Sequence, residues 1–244
     1  MRILGHRGAS ADAPENTLVS FELALAQGAD GVELDARLCA SGEVVVFHDA
    51  TLERLTGRPG RVARTPWAML STLAVHGAQG TAPIPLLGEV LQALPPTAFI
   101  NVELKADGAG LVLAKRVGRL LLEGGHAGHV VVSSFQPLCL LALAAFAPTL
   151  KRGYLLEPKQ PYWLEAGLVA PLVGRDAVHP EDSQLTLARL RHWHARGREV
   201  SAWTVDDPVR ARTLSDWGVD TLITNRPGLL RAALPRPQDK AKAG

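Results

Sequence analysis

Two segments carry acids at strand spacing. In GVELDARL, residues 31–38, Glu33 and Asp35 are two positions apart, and in NVELKAD, residues 101–107, Asn101, Glu103 and Lys105 alternate in the same way. Alternate side chains of a β-strand share a face, so each segment puts its acids on one side of a sheet. Unpaired anions facing a packed interior are very costly. Either a basic neighbour such as Arg37 neutralises them, or they gather around a cation. The repetition on a second strand favours the cation. Glu33, Asp35 and Glu103 together offer the hard oxygens that suit one Mg²⁺ or Ca²⁺, whereas zinc would call for more nitrogen or sulfur. Lys105 could hold a phosphate oxygen beside such an ion, or simply neutralise Glu103.

Two further stretches, LGHRGASADAPENT at 4–17 and VVVFHD at 44–49, end apolar runs with histidines. His6 and His48 therefore fall near strand termini, where two imidazoles could divide acid and base duties near neutral pH. Arg7 could clamp a phosphate with its planar fork of donors. Glu15 could orient Arg7, add a ligand or open a helix with favourable charge, and Asn16 could orient a substrate or cap that helix. His76, His126, His129, His192 and His194 lack such surroundings and read as structural or exposed.

The elements that must position these groups alternate along the chain, with short apolar runs followed by helix-patterned stretches, as in a parallel sheet covered by helices. Strands are expected at 2–5, 31–37, 43–47, 98–104, 129–133, 151–155, 174–178, 199–204 and 220–224. Helices are expected at 17–27, 88–94, 110–123, 136–146, 184–196 and 207–217, the first capped by Asn16 or Thr17 and ended by Gly28. Polar residues recur at strand ends all along the chain, which suits a (β/α)8 TIM barrel better than a doubly wound sheet with one switch point. Nine strands compete for eight places. The stretch between Asp35 and Val44 is too short for a helical crossover, so a hairpin-like, irregular connection is expected after the second strand. Residues 1–234 are expected to form a single domain containing an excursion over 51–85, with a short helix near 67–73, and residues 235–244 to form a flexible tail.

Composition narrows the partners. The 244 residues are 47% hydrophobic and carry a net charge of +2 with scattered basic residues, so no nucleic-acid or membrane-surface footprint is visible. Cys39 and Cys139 show no metal or disulfide spacing and read as buried apolar residues. No apolar run approaches the roughly 20 residues of a membrane helix, and the first residues lack the zones of a secretory signal. A cytoplasmic protein acting on a small molecule, as monomer or homodimer, is expected.

GHRGAS with PENT, GVELDARL, VVVFHD followed by TLERLTG, NVELK, VVSSF, AWTVDD and GVDTLITNRP occur in this order from residue 4 to about 230. In them the chain resembles the glycerophosphodiester phosphodiesterase family, whose barrel is related to that of bacterial phosphoinositide-specific phospholipase C. The resemblance implies that Glu33, Asp35 and Glu103 hold a divalent ion, that His6 and His48 form the acid/base pair, and that Arg7 and Lys105 bind phosphate. It places Glu15 near the site and makes Phe135 and Trp203 apolar walls against the glycerol part of the substrate. Asn225 stands where many relatives have Asp. The implied reaction cleaves a glycerophosphodiester to glycerol 3-phosphate and an alcohol, the glycerol 2-hydroxyl attacking phosphorus first and water opening the resulting cyclic phosphate. Two rival readings stand beside it: a phosphodiesterase acting on lysophospholipids, which an exposed apolar rim at the mouth would favour, and a barrel that captures phosphate esters without turnover.

Overall fold

A computed structural model describes residues 1–77, 79–108, 110–125, 128–158, 173 and 175–234. The strands are β1 (Arg2–His6), β2 (Gly31–Leu38), β3 (Val44–Val46), β4 (Ala74–Gly77), β5 (Gly80–Pro83), β6 (Phe99–Leu104), β7 (Val130–Ser134), β8 (Lys151–Leu156), β9 (Ala177–Pro180), β10 (Glu199–Ala202) and β11 (Thr221–Thr224). The helices are α1 (Leu18–Ala26), α2 (Glu53–Thr56), α3 (Trp67–Leu70), α4 (Leu87–Ala93), α5 (Leu111–Glu123), α6 (Pro137–Phe146), α7 (Leu187–His194), α8 (Pro208–Trp217) and α9 (Pro227–Ala233). Parallel pairing runs β1-β11-β10-β9-β8-β7-β6-β2, and β2 pairs back with β1. Eight parallel strands thus close a TIM barrel. The ninth, β3, lies antiparallel on β2, with Ala36 opposite Val46 and Leu38 opposite Val44, which is the hairpin that the short Asp35–Val44 connection requires.

Alternation decides what the barrel wall hides and what it offers to its interior. Val32, Leu34 and Ala36 of β2 and Ile100, Val102 and Leu104 of β6 turn outward and pack with Leu113, Val117 and Leu121 of α5. On the other side Ile3, Val178, Val200 and Leu222 meet Leu190 of α7, Leu214 of α8 and Leu230 of α9. Each such side chain contributes on the order of 1.5–3 kcal/mol of burial. Period two then forces Glu33, Asp35, Asn101 and Glu103 inward. The excursion between Thr51 and Pro85 carries α2, a 3-10 turn at Val62–Arg64, α3 and the β4–β5 hairpin. Its Leu52, Leu55, Leu70, Val75 and Ile84 cluster with Val45 and Phe47 at β3, anchoring the segment that leads to His48. Cys39 and Cys139 are buried.

Local chemistry moved several boundaries. Thr17, not Asn16, caps α1, its hydroxyl accepting from the Ser20 backbone N–H at 3.3 Å. The helix expected over 184–196 is divided: residues 182–184 form a 3-10 turn, and α7 starts only after Thr186, whose hydroxyl accepts from the Arg189 N–H. The strand expected at 174–178 runs at 177–180, Gly174 itself lying outside the described residues, and this brings His179 into the barrel wall. The final helix α9, with Pro227 at its first turn, had no counterpart in the sequence pattern. His126 and residues 235–244 lie outside the described residues.

At Gly31, where β2 starts beside β6, a Cβ would lie 1.8 Å from the Phe99 carbonyl oxygen. Only a bare α-carbon lets the two strands pair here. Gly31→Ala is expected to destabilise the fold by about 2 kcal/mol or more, read as a lowered urea midpoint. An unchanged midpoint would show that β2 and β6 can separate without loss.

Candidate active site

Each of the residues singled out for chemistry reaches the carboxyl end of the barrel. Strand β1 delivers His6 and the turn after it Arg7. Strand β2 delivers Glu33 and Asp35, β6 delivers Glu103 and the residue following it, Lys105, and the chain leaving β3 delivers His48. His6 is in register with Glu33, Glu33 with Asn101, and Asp35 with Glu103. A cavity of about 360 Å³ is lined by His6, Arg7, Glu33, His48, Asn101, Glu103 and Lys105 on one side and Phe135, Leu155, Glu157 and Trp203 on the other. A larger groove of about 850 Å³ beside α4 and α5 contains none of the acid cluster or site histidines. The smaller cavity is the one with chemistry.

Glu33, Asp35 and Glu103 are buried, and each presents an oxygen within 4.8 Å of the others. Arg37, the simplest neutralising partner by sequence, turns away to the His48 and Lys105 carbonyls and toward Asp107. The compensating cations are Lys105, at 2.8 Å from Glu103 and 3.5 Å from Asp35, and Arg7, at 3.3 Å from Asp35. Burial pushes the Asp35 carboxyl up, but Lys105 and Arg7 outweigh it and hold it well below the usual range. Burial, with Asp35 and Glu103 adding repulsion, drives Glu33 well upward. Burial also lifts Glu103, to about 7, against the pull of Lys105. Asp35 Oδ1 and Asn101 Oδ1 are buried without a hydrogen-bond donor among the described residues. Three converging carboxylates, two with raised proton affinity, and orphaned oxygens beside them form a donor set that fits a hard divalent cation.

The first loop is shaped to serve this cluster. Arg7 and Asn16 both adopt left-handed backbone, φ 55° and 59°, which costs a non-glycine residue on the order of 1 kcal/mol or more. The Arg7 N–H donates to Glu33 Oε2 at 3.0 Å, and its carbonyl accepts from the Asn16 N–H and the Ser20 hydroxyl. Gly8 follows at φ 86°, packed so that a Cβ would sit 2.2 Å from Ser20 Oγ. Asn16 neither caps α1 nor faces the cavity lining; its amide donates to Asp35 Oδ2 at 2.8 Å and its carbonyl accepts from the Asp35 N–H at 3.2 Å. Glu15 lies outside the acid cluster and holds Arg7 at 2.8 Å, and Arg54 of α2 grips Glu15 and Asp49 together.

The two histidines have unequal partners. Asp206 Oδ2 accepts from Asn225 Nδ2 at 2.6 Å, which fixes the orientation of that amide and turns Asn225 Oδ1 to His6 Nδ1 at 2.7 Å. The proton on His6 is thereby set on Nδ1, and Nε2, 3.9 Å from Glu33, keeps its lone pair. Burial, then Arg7, lowers the His6 pKa to about 4. His48 Nδ1 meets Asp49 Oδ1 at 2.6 Å, and the Arg54 hydrogen bond holds the Asp49 carboxyl well below the usual range. Burial lowers His48 too, opposed first by Asp35 and then by the hydrogen bond to Asp49. Phe135 and Trp203 meet edge to face at 5.5 Å and 82°, the indole N–H donating to the His179 carbonyl at 2.8 Å.

Sequence reading had passed over Asp49, Arg54, Glu157, Asp206 and His179. Asp49 was legible as the residue next to His48; Arg54 and Asp206 reach the site only through tertiary folding. The electrostatics of the acid cluster predict a sign for pH dependence. Metal-free, Glu33 and Glu103 bind protons more tightly folded than unfolded, so their contribution to stability is complete below the ordinary carboxylate range and fades as pH rises through about 7. A divalent ion should reverse this. The rise in melting temperature on adding Mg²⁺ or Ca²⁺ is expected to be larger near about pH 8 than near about pH 5.5, and Glu103→Gln should abolish the rise while stabilising the chelated protein at the higher pH. Equal rises at both pH values would remove the cation from this cluster.

With the geometry in place, comparison with known proteins places the chain among relatives. The sequence profile of the glycerophosphoryl diester phosphodiesterase family matches residues 6–229. A glycerophosphodiester phosphodiesterase of Caldanaerobacter subterraneus subsp. tengcongensis is 30% identical over 242 residues, covering 93% of this chain and 95% of its own. The solved structure of a phosphodiesterase from Oleispira antarctica, in complex with the product sn-glycerol-3-phosphate, is similar with a TM-score of 0.84 and 29% identity, covering 97% of each chain. A glycerophosphodiester phosphodiesterase from Thermotoga maritima superposes with a TM-score of 0.80 at 30% identity, over 95% of this chain and 97% of its own. A profile that begins at His6, where β1 ends, and runs to Leu229 in α9 takes in the other seven strands of the barrel, and this chain belongs to the glycerophosphoryl diester phosphodiesterase family.

Proposed function

We propose that this enzyme hydrolyses glycerophosphodiesters to sn-glycerol 3-phosphate and an alcohol in a divalent-cation-dependent reaction, with His6 and His48 as the proton carriers. The reading rests on one observation: two histidines with different partners line the same 360 Å³ cavity as Glu33 and Glu103, and the third clustered carboxylate, Asp35, presents an oxygen within 4.8 Å of theirs. It is supported by the product bound in the Oleispira antarctica relative. Held by Glu33, Asp35 and Glu103, Mg²⁺ or Ca²⁺ would supply Lewis-acid neutralisation of phosphoryl charge. Arg7 and Lys105 bind the non-bridging oxygens, and Phe135 and Trp203 shield the glycerol carbons from water. His6, neutral with its Nε2 lone pair free, takes the proton of the glycerol 2-hydroxyl as that oxygen bonds to phosphorus. His48, whose protonated form Asp49 favours, donates to the departing alcohol oxygen as the P–O bond breaks. In the second half the roles exchange: His48 takes a proton from water, which attacks phosphorus, and His6 returns one to the 2-oxygen.

The second reading, hydrolysis of lysophospholipids, calls for apolar surface near the mouth: the exposed Leu111 and Val112 line the larger groove beside α4 and α5 and not this cavity, and the exposed Leu138 opens α6 three residues after Phe135. Capture without turnover loses support, because neither histidine is committed to a structural bond through both nitrogens.

Turnover of glycerophosphocholine, read as sn-glycerol 3-phosphate released, should vanish with chelator and return with Mg²⁺ or Ca²⁺; a full rate in chelator would refute the cation requirement. His6→Ala and His48→Ala are each expected to lower kcat by about 10²–10⁴ on glycerophosphocholine. With a p-nitrophenyl leaving group, which departs without a proton, nitrophenolate release in the first turnover should recover most of the His48→Ala loss and not that of His6→Ala, while His48→Ala still opens the cyclic phosphate slowly. Equal recovery by both would dissolve the assignment of acid and base. Faster turnover of lysophosphatidylcholine than of glycerophosphocholine would put the second reading first.

A further inference from the structure

The cavity has a second wall that the proton and phosphate chemistry leaves unused. Strand β8 ends at Leu156, so Leu155 and Glu157 alternate onto the barrel interior. Both line the cavity together with Phe135 and Trp203, across from the acid cluster. Exposure climbs along this wall: Leu155 is buried, the two aromatic rings are half-buried, and Glu157 is exposed at the rim. Among the described residues Glu157 forms neither an ion pair nor a hydrogen bond. The carboxylates on the other wall are paired with Arg7 or Lys105 or gathered in the acid cluster, so among the described residues Glu157 is the carboxylate of this cavity that stands apart from them with no cationic partner.

The rings beside it are set at 82° with centroids 5.5 Å apart, two sides of a corner. Trp203 is locked in this pose by its N–H bond to the His179 carbonyl. One face of Phe135 already attracts an ammonium, the Lys105 Nζ at 5.6 Å, and that charge is spent on Glu103 and Asp35. Aromatic rings set at right angles, with an exposed carboxylate lining the same cavity, offer the chemistry that recognises an organic ammonium ion. A phosphodiester held by Arg7 and Lys105 is negative at phosphorus, so a substrate carrying an ammonium on its alcohol limb would match both walls at once.

We propose that Glu157, with the outer edges of Phe135 and Trp203, is a specificity site for the leaving alcohol and selects glycerophosphodiesters whose alcohol bears an ammonium group. The inference rests on the reaction proposed above and adds to it the class of head group. Glycerol carbons lie deeper, against Leu155 and the inner ring edges, and the cationic end of the alcohol limb lies at the rim.

The test is the kcat/KM of the metal-loaded enzyme on three substrates: glycerophosphocholine, glycerophosphoethanolamine and the uncharged-alcohol analogue glycerophosphoglycerol. Wild-type protein should prefer the two ammonium substrates. Glu157→Gln should lower their kcat/KM by about threefold to tenfold, mainly through KM, while glycerophosphoglycerol changes by less than about twofold, the size expected of a rim ion pair backed by aromatic faces. Glu157→Lys should reverse the preference, and added salt should narrow it in wild type. An equal fall on all three substrates would place Glu157 on the shared glycerol limb and overturn the inference, as would an unchanged preference. If wild-type protein turned over none of the three, the reaction itself would fail, a result distinct from turnover without head-group selection.

Discussion

Three carboxylates on two neighbouring strands, forced to one side by the pleat and buried there, are the constraint to which the surrounding structure answers. With all three ionised, Arg7 and Lys105 leave one negative charge uncompensated in a region of low dielectric, where such a charge is costly. Protonation, as in the upward shifts of Glu33 and Glu103, is one escape. A divalent cation is another, and it would leave the cluster with one positive charge, which a phosphodiester monoanion would cancel. Charge balance alone therefore argues for the order in which ion and substrate would be accommodated.

The loop after β1 exists in its form because of that cluster. Arg7 and Asn16 sit in left-handed backbone that neither residue prefers, and each is held there by hydrogen bonds to Glu33 or Asp35. The strain is tolerated because the bonds are mutual: Arg7 C=O accepts from Asn16 N–H, so the two distortions brace one another. Farther out, Glu15, Arg54 and Asp49 carry the same electrostatic chain to His48. The excursion beyond β3 is thus tied to catalytic geometry through α2, which supplies Arg54, as well as through the small core under Phe47.

Asymmetry between the histidines follows from one partner that is distant in the chain, Asn225, and one that is adjacent, Asp49. An amide fixed by Asp206 leaves His6 neutral, whereas an ionised Asp49 favours a proton on His48. Opposite them, Phe135 and Trp203 depend on their edge-to-face packing and on a carbonyl of β9 for orientation. Both sides of the cavity are therefore held by fixed partners, and exposure is concentrated at the rim.

Strand periodicity made much of this visible in advance. Glu33 with Asp35, and Asn101 with Glu103 and Lys105, had to share faces because successive β side chains alternate, and the short link before Val44 had to be a hairpin because no crossover fits into it. Asn16 was legible as a polar residue near a helix start, but its bond to Asp35 was not, since that depends on β2 lying beside the first loop. Arg37 looked like the natural partner of the acids by proximity along the chain, yet folding turned it away and brought in Arg7 and Lys105. Nor could the position of Arg54, Asp206, Asn225 or Glu157 around one cavity be read from their neighbours. Local sequence determines which side chains face the same way, because that follows from backbone geometry a few residues long. Which of those faces meet is decided by the closing of the barrel, which brings β1 against both β2 and β11 and so joins residues up to two hundred positions apart.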